Sequence, residues 1–295
     1  MDNKDTAHSH LLSFLNAIPP VDFCCVYGST LHSTDPGKST MVDYILGVSD
    51  PLQWHSENLK MNADHYASWM VLLGGAKLIT NIADKLGVGV HFNPYVTWND
   101  KMLKYGVVRM HDLIQDILNW ERFYLSGRLQ KPVNMLVDNL DIETINSVNL
   151  RAAMSAALLL LPPKFTEEDL YAKICSLSYM GDVRMLFAED RNKDCGLPVT
   201  HSHISFLPPT VRSQMGMKIG KKKVISESGK VGNGNELGFG SREEAAKCMQ
   251  KALRRTVMVS SARQAVSGLL TVGGVKAARY LTSKMCKAWR SWTRT

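Results

Sequence analysis

Two short apolar runs near the amino terminus predict a pair of strands. The first run extends from Phe23 to Tyr27 and the second from Met41 to Val48, and both are rich in residue types that favour strands. Gly28-Ser29 interrupts the first run, and the residues from His32 to Thr40 are polar. The pattern therefore predicts a strand, a tight turn, a polar loop and a second strand.

Further along the chain, helical and extended periodicities alternate, which is typical of an α/β protein. Thr166 and Asp169 have the spacing of a helix cap. From Asn192 to Gly240 the periodicity is lost, and residues 218–240 have the composition of a flexible basic linker. The pattern predicts further strands over 87–98 and 133–137, and helices over 10–18, 52–60, 74–86, 110–122, 142–161 and 242–292.

Asp43 is an acid in the middle of the second apolar run. A carboxylate in an apolar site is costly unless it is paired, so its presence in a strand needs an explanation. If the Gly28-Ser29 turn lies beside it, backbone N–H groups of the turn can bind phosphate, and Asp43 can hold a Mg²⁺ ion that bridges to that phosphate. The alternative is an ordinary Gly-Ser turn with an acid at a sheet edge, and the residues alone leave both open.

Three cations are candidates for neutralising phosphate charge. Lys104 precedes Tyr105-Gly106, where we expect a glycine turn, and a lysine there can stabilise a developing phosphate charge. Arg128 and Lys131 lie in a segment with a glycine and a proline, and arginine grips phosphate with a planar fork while lysine acts as a point charge. For Lys104, a solvated surface lysine is an equally good interpretation.

Charge is divided unevenly along the 295 residues. The formal net charge is +8, but residues 1–211 carry a net charge of −6 and residues 212–295 carry +14. Such asymmetry predicts a basic segment that meets an anionic surface, either nucleic acid or lipid. The six cysteines show no disulfide-like spacing, which favours a reducing compartment, and no run of eighteen apolar residues predicts a membrane-spanning helix.

Part of the positive charge forms one face of a helix predicted at the end of the chain, over residues 276–294. A basic face opposite tryptophan and leucine is typical of a helix in the membrane interface, so we expect contact with an anionic membrane surface. The alternative is a core helix with a solvated face, and nucleic acid is not expected because no aromatic residues interleave the lysines. The apolar face carries Leu281, Met285, Trp289 and Trp292.

Several strings resemble one enzyme family. Tyr27-Gly28-Ser29 followed by Val42-Asp43-Tyr44 resembles the signature of the nucleotidyltransferase superfamily. Longer strings, which span residues 20–190 and 241–293, are similar to the mitochondrial phosphatidate cytidylyltransferase of the translocator assembly and maintenance type. These strings are DPLQWHSENLKMNADHY (50–66), KYGVV (104–108), LNWERFYLSGRLQKPV (118–133), LPPKFTEEDLYAKICSLSYMGDVRM (161–185) and SSARQAVSGLLTVGG (260–274).

The resemblance implies an activity, substrates and a location. The family makes CDP-diacylglycerol and pyrophosphate from CTP and phosphatidic acid, for cardiolipin-type phospholipids, as a peripheral protein on the matrix side of the mitochondrial inner membrane. It implies that Gly28 and Ser29 contact the triphosphate, that Asp43 holds Mg²⁺, and that His55 and Asn58 bind the nucleotide. No transit peptide is visible in the first ten residues, which hold two acids and one lysine.

Periodicity and resemblance together predict an α/β fold in three parts. Residues 1–143 would form a nucleotidyltransferase-like domain, 144–240 a small helical or winged-helix-like domain with a flexible linker, and 241–295 a basic amphipathic membrane-binding tail. The segment after residue 190 is shorter than the family pattern leads us to expect. Alternative functions are therefore a non-enzymatic, membrane-associated assembly factor on a transferase scaffold, and a nucleotidyltransferase that acts on RNA.

The metal site predicted in this way lacks one acid. Members of the superfamily usually carry two acids, two residues apart, on the second strand, but Ile45 occupies the second position here. Asp22, Asp50 and Asp182 are candidates for the missing ligand, and the sequence does not choose between them.

Overall fold

The structure, a computed structural model, describes residues 9, 11–28, 41–182, 204–219 and 241–272. Its strands are β1 (Phe23–Tyr27), β2 (Val42–Val48), β3 (Val90–Trp98), β4 (Lys101–Arg109) and β5 (Asn134–Asp138). They form one sheet in the order β3-β4-β2-β1-β5. β1 is antiparallel to β2 and β5, β3 is antiparallel to β4, and β2 is parallel to β4. The mixed sheet with its helices confirms the α/β class.

The first two strands lie where the apolar runs predict them, since β1 coincides with the first run and β2 begins one residue after Met41. The turn predicted around Gly106 is wrong. Gly106 lies within β4, directly opposite Phe92 of β3. A Cβ at position 106 would be 2.5 Å from the Phe92 ring, so the glycine makes room for that ring rather than for a turn.

Helices connect β2 to β3. A short 3-10 helix (Phe14–Ala17) precedes β1, while α1 (Pro51–Met61), α2 (Ser68–Leu73) and α3 (Gly75–Asn81) follow β2, and a π-helical turn (Ile82–Leu86) continues α3. Asp50 caps α1 by accepting hydrogen bonds from the backbone N–H groups of Leu52 and Gln53. One face of the sheet packs in a cluster with Phe14 of the 3-10 helix and Trp54 of α1, while Met70, Ile79 and Ile82 of the following helices form a second cluster.

The remaining helices are α4 (Met110–Asn119), α5 (Ser126–Leu129), α6 (Ile142–Leu160), α7 (Glu167–Leu177), α8 (Pro209–Ile219) and α9 (Arg242–Val272). The cap predicted at Thr166 and Asp169 is confirmed as a capping box. α8 corrects the expectation that periodicity is lost throughout 192–240: Val211 and Met215 are buried one turn apart, but the polar residues and glycine around them hide the period. Among the described residues, no helix combines the length and apolar character that a membrane crossing requires.

Contacts divide the chain into two units. The sheet unit comprises the residues up to Leu113, Pro132–Asp141 and the residues from Arg263 on, while the helical unit comprises Ile114–Lys131 and Ile142–Ala262. Both α4 and α9 therefore contribute residues to both units. The contiguous domain boundaries expected from the sequence stay a prediction.

Candidate functional site

Gly28 and Asp43 meet at one end of the β1–β2 pair. Tyr27, the last residue of β1, pairs with Asp43 of β2, so the chain leaving β1 at Gly28 passes the Asp43 carboxylate. Gly28 has a φ of 98°, a backbone conformation that residues with side chains rarely adopt. A Cβ at this position would lie 3.3 Å from Oδ2 of Asp43. The glycine therefore lets the main chain and the carboxylate approach each other, as the sequence predicts.

Lys104 lies beside Asp43 on the same face of the sheet. The two residues are opposite each other in the parallel β2–β4 pair, and Nζ of Lys104 is 3.4 Å from Oδ1 of Asp43. The ammonium group is also 4.5 Å from the centroid of the Phe92 ring. Each side chain of the ion pair is about one-quarter exposed, so a ligand can reach both charges. We call Gly28, Asp43 and Lys104 the edge group.

Several predicted site residues lie outside the described residues. Ser29, predicted to contact the triphosphate, comes directly after Gly28, where the described segment 11–28 ends. The predicted membrane contacts also lie outside, so their roles stay predictions. They are Leu281, Met285, Trp289 and Trp292.

His55 and Asn58 belong to a buried hydrogen-bond network on the other face of the sheet. Nδ2 of Asn58 donates to the hydroxyls of Tyr66 and Tyr105 at 2.8 and 2.9 Å, and Nδ1 of His55 lies 2.9 Å from the Tyr66 hydroxyl. Because consecutive side chains of a strand point to opposite faces, Tyr105 and Lys104 face opposite sides. The structure does not bring His55 and Asn58 to the edge group, and their contact with a nucleotide stays a prediction.

Burial keeps this network uncharged at neutral pH. Burial, with a smaller effect of neighbouring His91, holds the pKa of His55 well below its ordinary value. Burial also lowers the pKa of His91 to about 4, against the opposing effect of its hydrogen bond with Asn93. The pKa of the Tyr66 hydroxyl rises to about 12, again mainly through burial. The network therefore orients its members by hydrogen bonds between neutral groups.

Arg128 and Lys131 lie together in the helical unit, in and just after α5. The Arg128 guanidinium stacks 4.0 Å from the centroid of the Tyr124 ring and donates to the Tyr124 hydroxyl at 2.8 Å. Nζ of Lys131 donates to Oγ of Ser178 and lies 4.3 Å from the centroid of the Tyr179 ring. The structure thus brings these two predicted cations into one segment, each held against an aromatic ring.

Asp116 is a structural residue that the sequence analysis misses. Its carboxylate accepts hydrogen bonds from five consecutive backbone N–H groups, those of Arg122 to Ser126, at 2.8–3.1 Å. The buried carboxylate therefore fixes the loop that leads into α5. The signal in the sequence is an acid placed next to Leu113 and Ile117 on the buried side of α4.

Of the three further acids considered as metal ligands, Asp22 and Asp50 lie at the far end of β1 and β2. The Asp22 carboxylate accepts from Oγ of Ser49 at 2.7 Å, and Asp50 caps α1. Asp22 is five residues from Tyr27, the partner of Asp43, which puts it roughly 16 Å from Asp43 along the strand pair. Asp182 is buried and belongs to the helical unit.

Within the described residues, no three side chains of the Asp, Glu, His or Cys type form a group that could hold a metal ion. Mg²⁺ does not need such a cage, because it commonly binds through one or two carboxylates together with phosphate oxygens of the substrate. The accessible carboxylate of Asp43, next to a glycine turn, fits that mode of binding.

Comparison with known proteins places the chain in one family. A family model described as mitochondrial phosphatidate cytidylyltransferase matches residues 10–196 and 192–287. The bovine protein named mitochondrial phosphatidate cytidylyltransferase is 33% identical over 311 aligned positions, which cover 91% of this chain and 89% of the relative. The Saccharomyces cerevisiae protein of the same name is 34% identical, with 92% of this chain and 68% of the relative covered.

The human protein of the same name is 44% identical over 175 residues. That match covers 57% of this chain and 38% of the human protein's length. Together, the family model and the bovine and yeast relatives cover most of the sequence, which confirms the resemblance carried by its motifs. This chain belongs to the family of mitochondrial phosphatidate cytidylyltransferases.

Proposed function

We propose that this chain transfers a cytidylyl group from CTP to phosphatidic acid, with CDP-diacylglycerol and pyrophosphate as products. The shared name of its relatives supports the proposal. The structural observation that carries it is the edge group, in which the Gly28 main chain, the Asp43 carboxylate and the Lys104 ammonium meet. These are the three kinds of group that a nucleoside triphosphate with its metal ion requires.

The reaction depends on positioning more than on activation of the nucleophile. An oxygen of the phosphatidate phosphate attacks the α-phosphorus of CTP and forms a new P–O bond. The bond from the α-phosphorus to the oxygen that bridges to the β-phosphorus breaks, and pyrophosphate leaves with that electron pair. The attacking phosphate is already ionised, so no residue has to remove a proton from it. Alignment of the reactants and neutralisation of their charges then supply most of the catalysis.

Each member of the edge group has a role in this scheme. The backbone at Gly28, with Ser29, would hold the triphosphate, and Lys104 would offset negative charge on the phosphates. Asp43 would hold the Mg²⁺ ion, which supplies charge neutralisation on the triphosphate oxygens when it is bound. The Asp43–Lys104 ion pair is partly exposed and therefore adds little stability, so redirecting Lys104 to a phosphate costs at most about 1 kcal/mol.

Arg128 and Lys131 are proposed to neutralise further phosphate charge. The planar fork of Arg128 suits two phosphate oxygens, and its stacking on Tyr124 limits the freedom that it would lose on binding. The Asp116 carboxylate fixes the loop before α5 through five backbone hydrogen bonds, so Arg128 in α5 and Lys131 just after it follow a firmly held segment.

The arrangement of β1 and β2 also bears on the type of fold. We infer that the sheet unit is of the nucleotidyltransferase type, since a turn glycine after β1 and an acid on β2 are arranged as the superfamily signature leads us to expect. We also propose that residues 144–240 form a small helical or winged-helix-like domain. The described residues of the helical unit are helical or irregular, without a strand.

We further propose that the chain works at the matrix side of the mitochondrial inner membrane as a peripheral protein, where its product would supply cardiolipin-type phospholipids. The relatives are named as mitochondrial, and phosphatidic acid resides in a bilayer. The basic segment over residues 276–294 would supply an attraction to anionic lipid.

The test is a direct assay of the lipid product. Purified protein is incubated with labelled CTP, phosphatidic acid and Mg²⁺, and labelled CDP-diacylglycerol is measured after extraction. Parallel incubations replace the lipid by RNA or omit Mg²⁺. Labelled lipid supports the proposal. Labelled RNA with no labelled lipid would favour an RNA nucleotidyltransferase, and no transfer at all would favour an assembly factor.

A further inference from the structure

Two adjacent leucines at the end of α2 are largely exposed. Leu72 and Leu73 expose 84% and 76% of their surfaces, more than any other large apolar side chain among the described residues. Gly74 and Gly75 follow them directly. Scattered exposed leucines are normal, but an adjacent pair exposed to this degree is typical of a contact surface. We call Leu72 and Leu73 the leucine pair.

The last turns of α9 lie beside α2 within the sheet unit. Nε1 of Trp69 donates to the Leu270 carbonyl at 3.1 Å, and Leu270 packs against the cluster around Met70. In the same turns of α9, Val266 and Leu269 are about half exposed. The leucine pair is therefore close to further exposed apolar surface of the same unit.

Two exposed lysines follow the leucine pair in the chain. Lys77 belongs to α3, and Lys85 to the π-helical turn after it. Asp84, next to Lys85, lies 3.8 Å from the Arg109 guanidinium, which offsets its charge. An exposed leucine pair followed by exposed lysines in the same helical segment suits an anionic lipid surface, because apolar side chains can enter the interface while ammonium groups stay near phosphates.

We propose that the leucine pair enters an anionic bilayer surface and docks the sheet unit on the membrane that holds the lipid substrate. This inference rests on the proposed function, because phosphatidic acid is a bilayer component. α9 ends at Val272, and the basic segment predicted over residues 276–294 follows in the sequence, after the turn of α9 in which Leu270 contacts Trp69 of α2. A second copy fits less well, since a symmetric contact would bring the lysines of both copies together.

Flotation of the full-length chain with vesicles tests the inference. The vesicles contain equal parts of phosphatidylcholine and phosphatidic acid, with pure phosphatidylcholine vesicles as the reference. We expect the double variant Leu72→Glu, Leu73→Glu to lose at least about tenfold in binding to the anionic vesicles. Leu72→Trp, Leu73→Trp should float as well as the unchanged chain or better, because tryptophan favours the interface.

A matched control places the same charges on another exposed apolar surface. Leu150 and Met154 of α6 are each nearly half exposed, and Leu150→Glu, Met154→Glu should leave flotation unchanged. CTP binding by calorimetry should be the same in all these variants. Unchanged flotation of the Leu72→Glu, Leu73→Glu chain would overturn the inference, as would a dimer of the unchanged chain that this variant dissociates.

Flotation requires no turnover, so it separates this inference from the proposed function. A chain that floats through the leucine pair but yields no CDP-diacylglycerol would refute the activity and leave the docking surface in place. A chain that forms the product from detergent-dispersed lipid but floats equally with and without the leucine pair would refute the docking surface alone.

Discussion

Nζ of Lys104 and Oδ1 of Asp43 are 3.4 Å apart, although they belong to strands that are distant in sequence. Because this ion pair is about one-quarter exposed, we expect Asp43→Asn to lower the melting temperature by no more than a few degrees. Formation of CDP-diacylglycerol should fall about 100-fold or more, because the variant loses the charge that we assign to Mg²⁺. The product assay measures the change in turnover, and a thermal melt measures the change in melting temperature.

Asp22→Asn is the matched control for Asp43→Asn. Asp22 lies at the opposite end of β1 and interacts with Ser49, so its replacement should leave turnover near that of the unchanged chain. Full turnover in Asp43→Asn would remove this carboxylate from the mechanism.

Gly28→Ala should weaken CTP binding and lower stability together. A side chain at a φ of 98° costs about 1–2 kcal/mol in backbone strain, and its Cβ would lie 3.3 Å from the Asp43 carboxylate. We expect a melting temperature lower by several degrees and a CTP dissociation constant raised at least about tenfold, measured by calorimetry. Gly268→Ala is the control, because its Cβ would meet no atom within 4 Å and alanine favours a helix.

The two Gly28 effects can be separated. If Gly28→Ala destabilised the fold but bound CTP with unchanged affinity, the turn would be structural and the triphosphate would bind elsewhere.

Asp116→Asn should destabilise the chain strongly. The carboxylate accepts five backbone hydrogen bonds, whereas an asparagine would turn one amide N–H toward a donor, and a loss of about 2–4 kcal/mol is expected. Urea unfolding measures this loss. Asp112→Asn, one turn earlier and partly exposed beside Arg109, should cost less than about 1 kcal/mol. Equal losses in the two variants would contradict the assigned role of Asp116.

Acid should weaken the fold through its buried histidines. Burial lowers the pKa of His91 in the folded chain to about 4, below its ordinary value of 6.5. Between these two values the unfolded chain binds a proton that the folded chain does not, so the free energy of unfolding falls as pH falls through this window. Above the ordinary value both states are neutral, and stability is fully retained.

At pH 5, His91 alone should lower the free energy of unfolding by roughly 2 kcal/mol. Urea unfolding at pH 7.5 and pH 5 measures it, and His91→Gln should make the dependence shallower. His111→Gln is the control, because it makes the same replacement at an exposed histidine. A His91→Gln chain with the same dependence as the unchanged chain would show that other groups control acid stability.

Deletion of residues 276–295 should leave CTP binding intact and reduce flotation with anionic vesicles. The segment would contribute apolar burial, at roughly 25 cal/mol per Å², and an attraction of basic residues that weakens with salt. Activity on vesicle-embedded phosphatidic acid should fall more than activity on detergent-dispersed lipid. Undiminished flotation of the truncated chain at moderate salt would place the membrane contact elsewhere.

The sequence predicts those parts of the fold that depend on local patterns. β1 and the capping box at Thr166 follow from short-range apolar spacing and side-chain hydrogen bonding, and both are confirmed. The proximity of Gly28 and Asp43 is also predictable, because a hairpin-like pair fixes which residues meet at its end.

Tertiary contacts decide the features that the sequence analysis misses. A glycine at position 106 suggests a turn, but it is there because the Phe92 ring on the neighbouring strand needs the space. No local pattern in the sequence reveals that contact. The hydrogen-bond partners of His55 and Asn58 are likewise set by tertiary structure, while their contact with a nucleotide stays a prediction. Both residues hydrogen-bond with tyrosines that chain folding brings to them, Tyr66 and Tyr105. Only the register of β4 puts Lys104 next to Asp43.

The parallel pairing of β2 with β4 also bears on how the chain acquires its binding competence. Parallel neighbours cannot form from a tight hairpin, and contacts between distant segments form slowly because a long loop must close first. A nascent chain that ends before β4 could pair β1 with β2 and hold Gly28 beside Asp43, but it would lack the cation opposite the acid. If the edge group binds the triphosphate as we propose, affinity for it therefore develops only after β4 has joined the sheet.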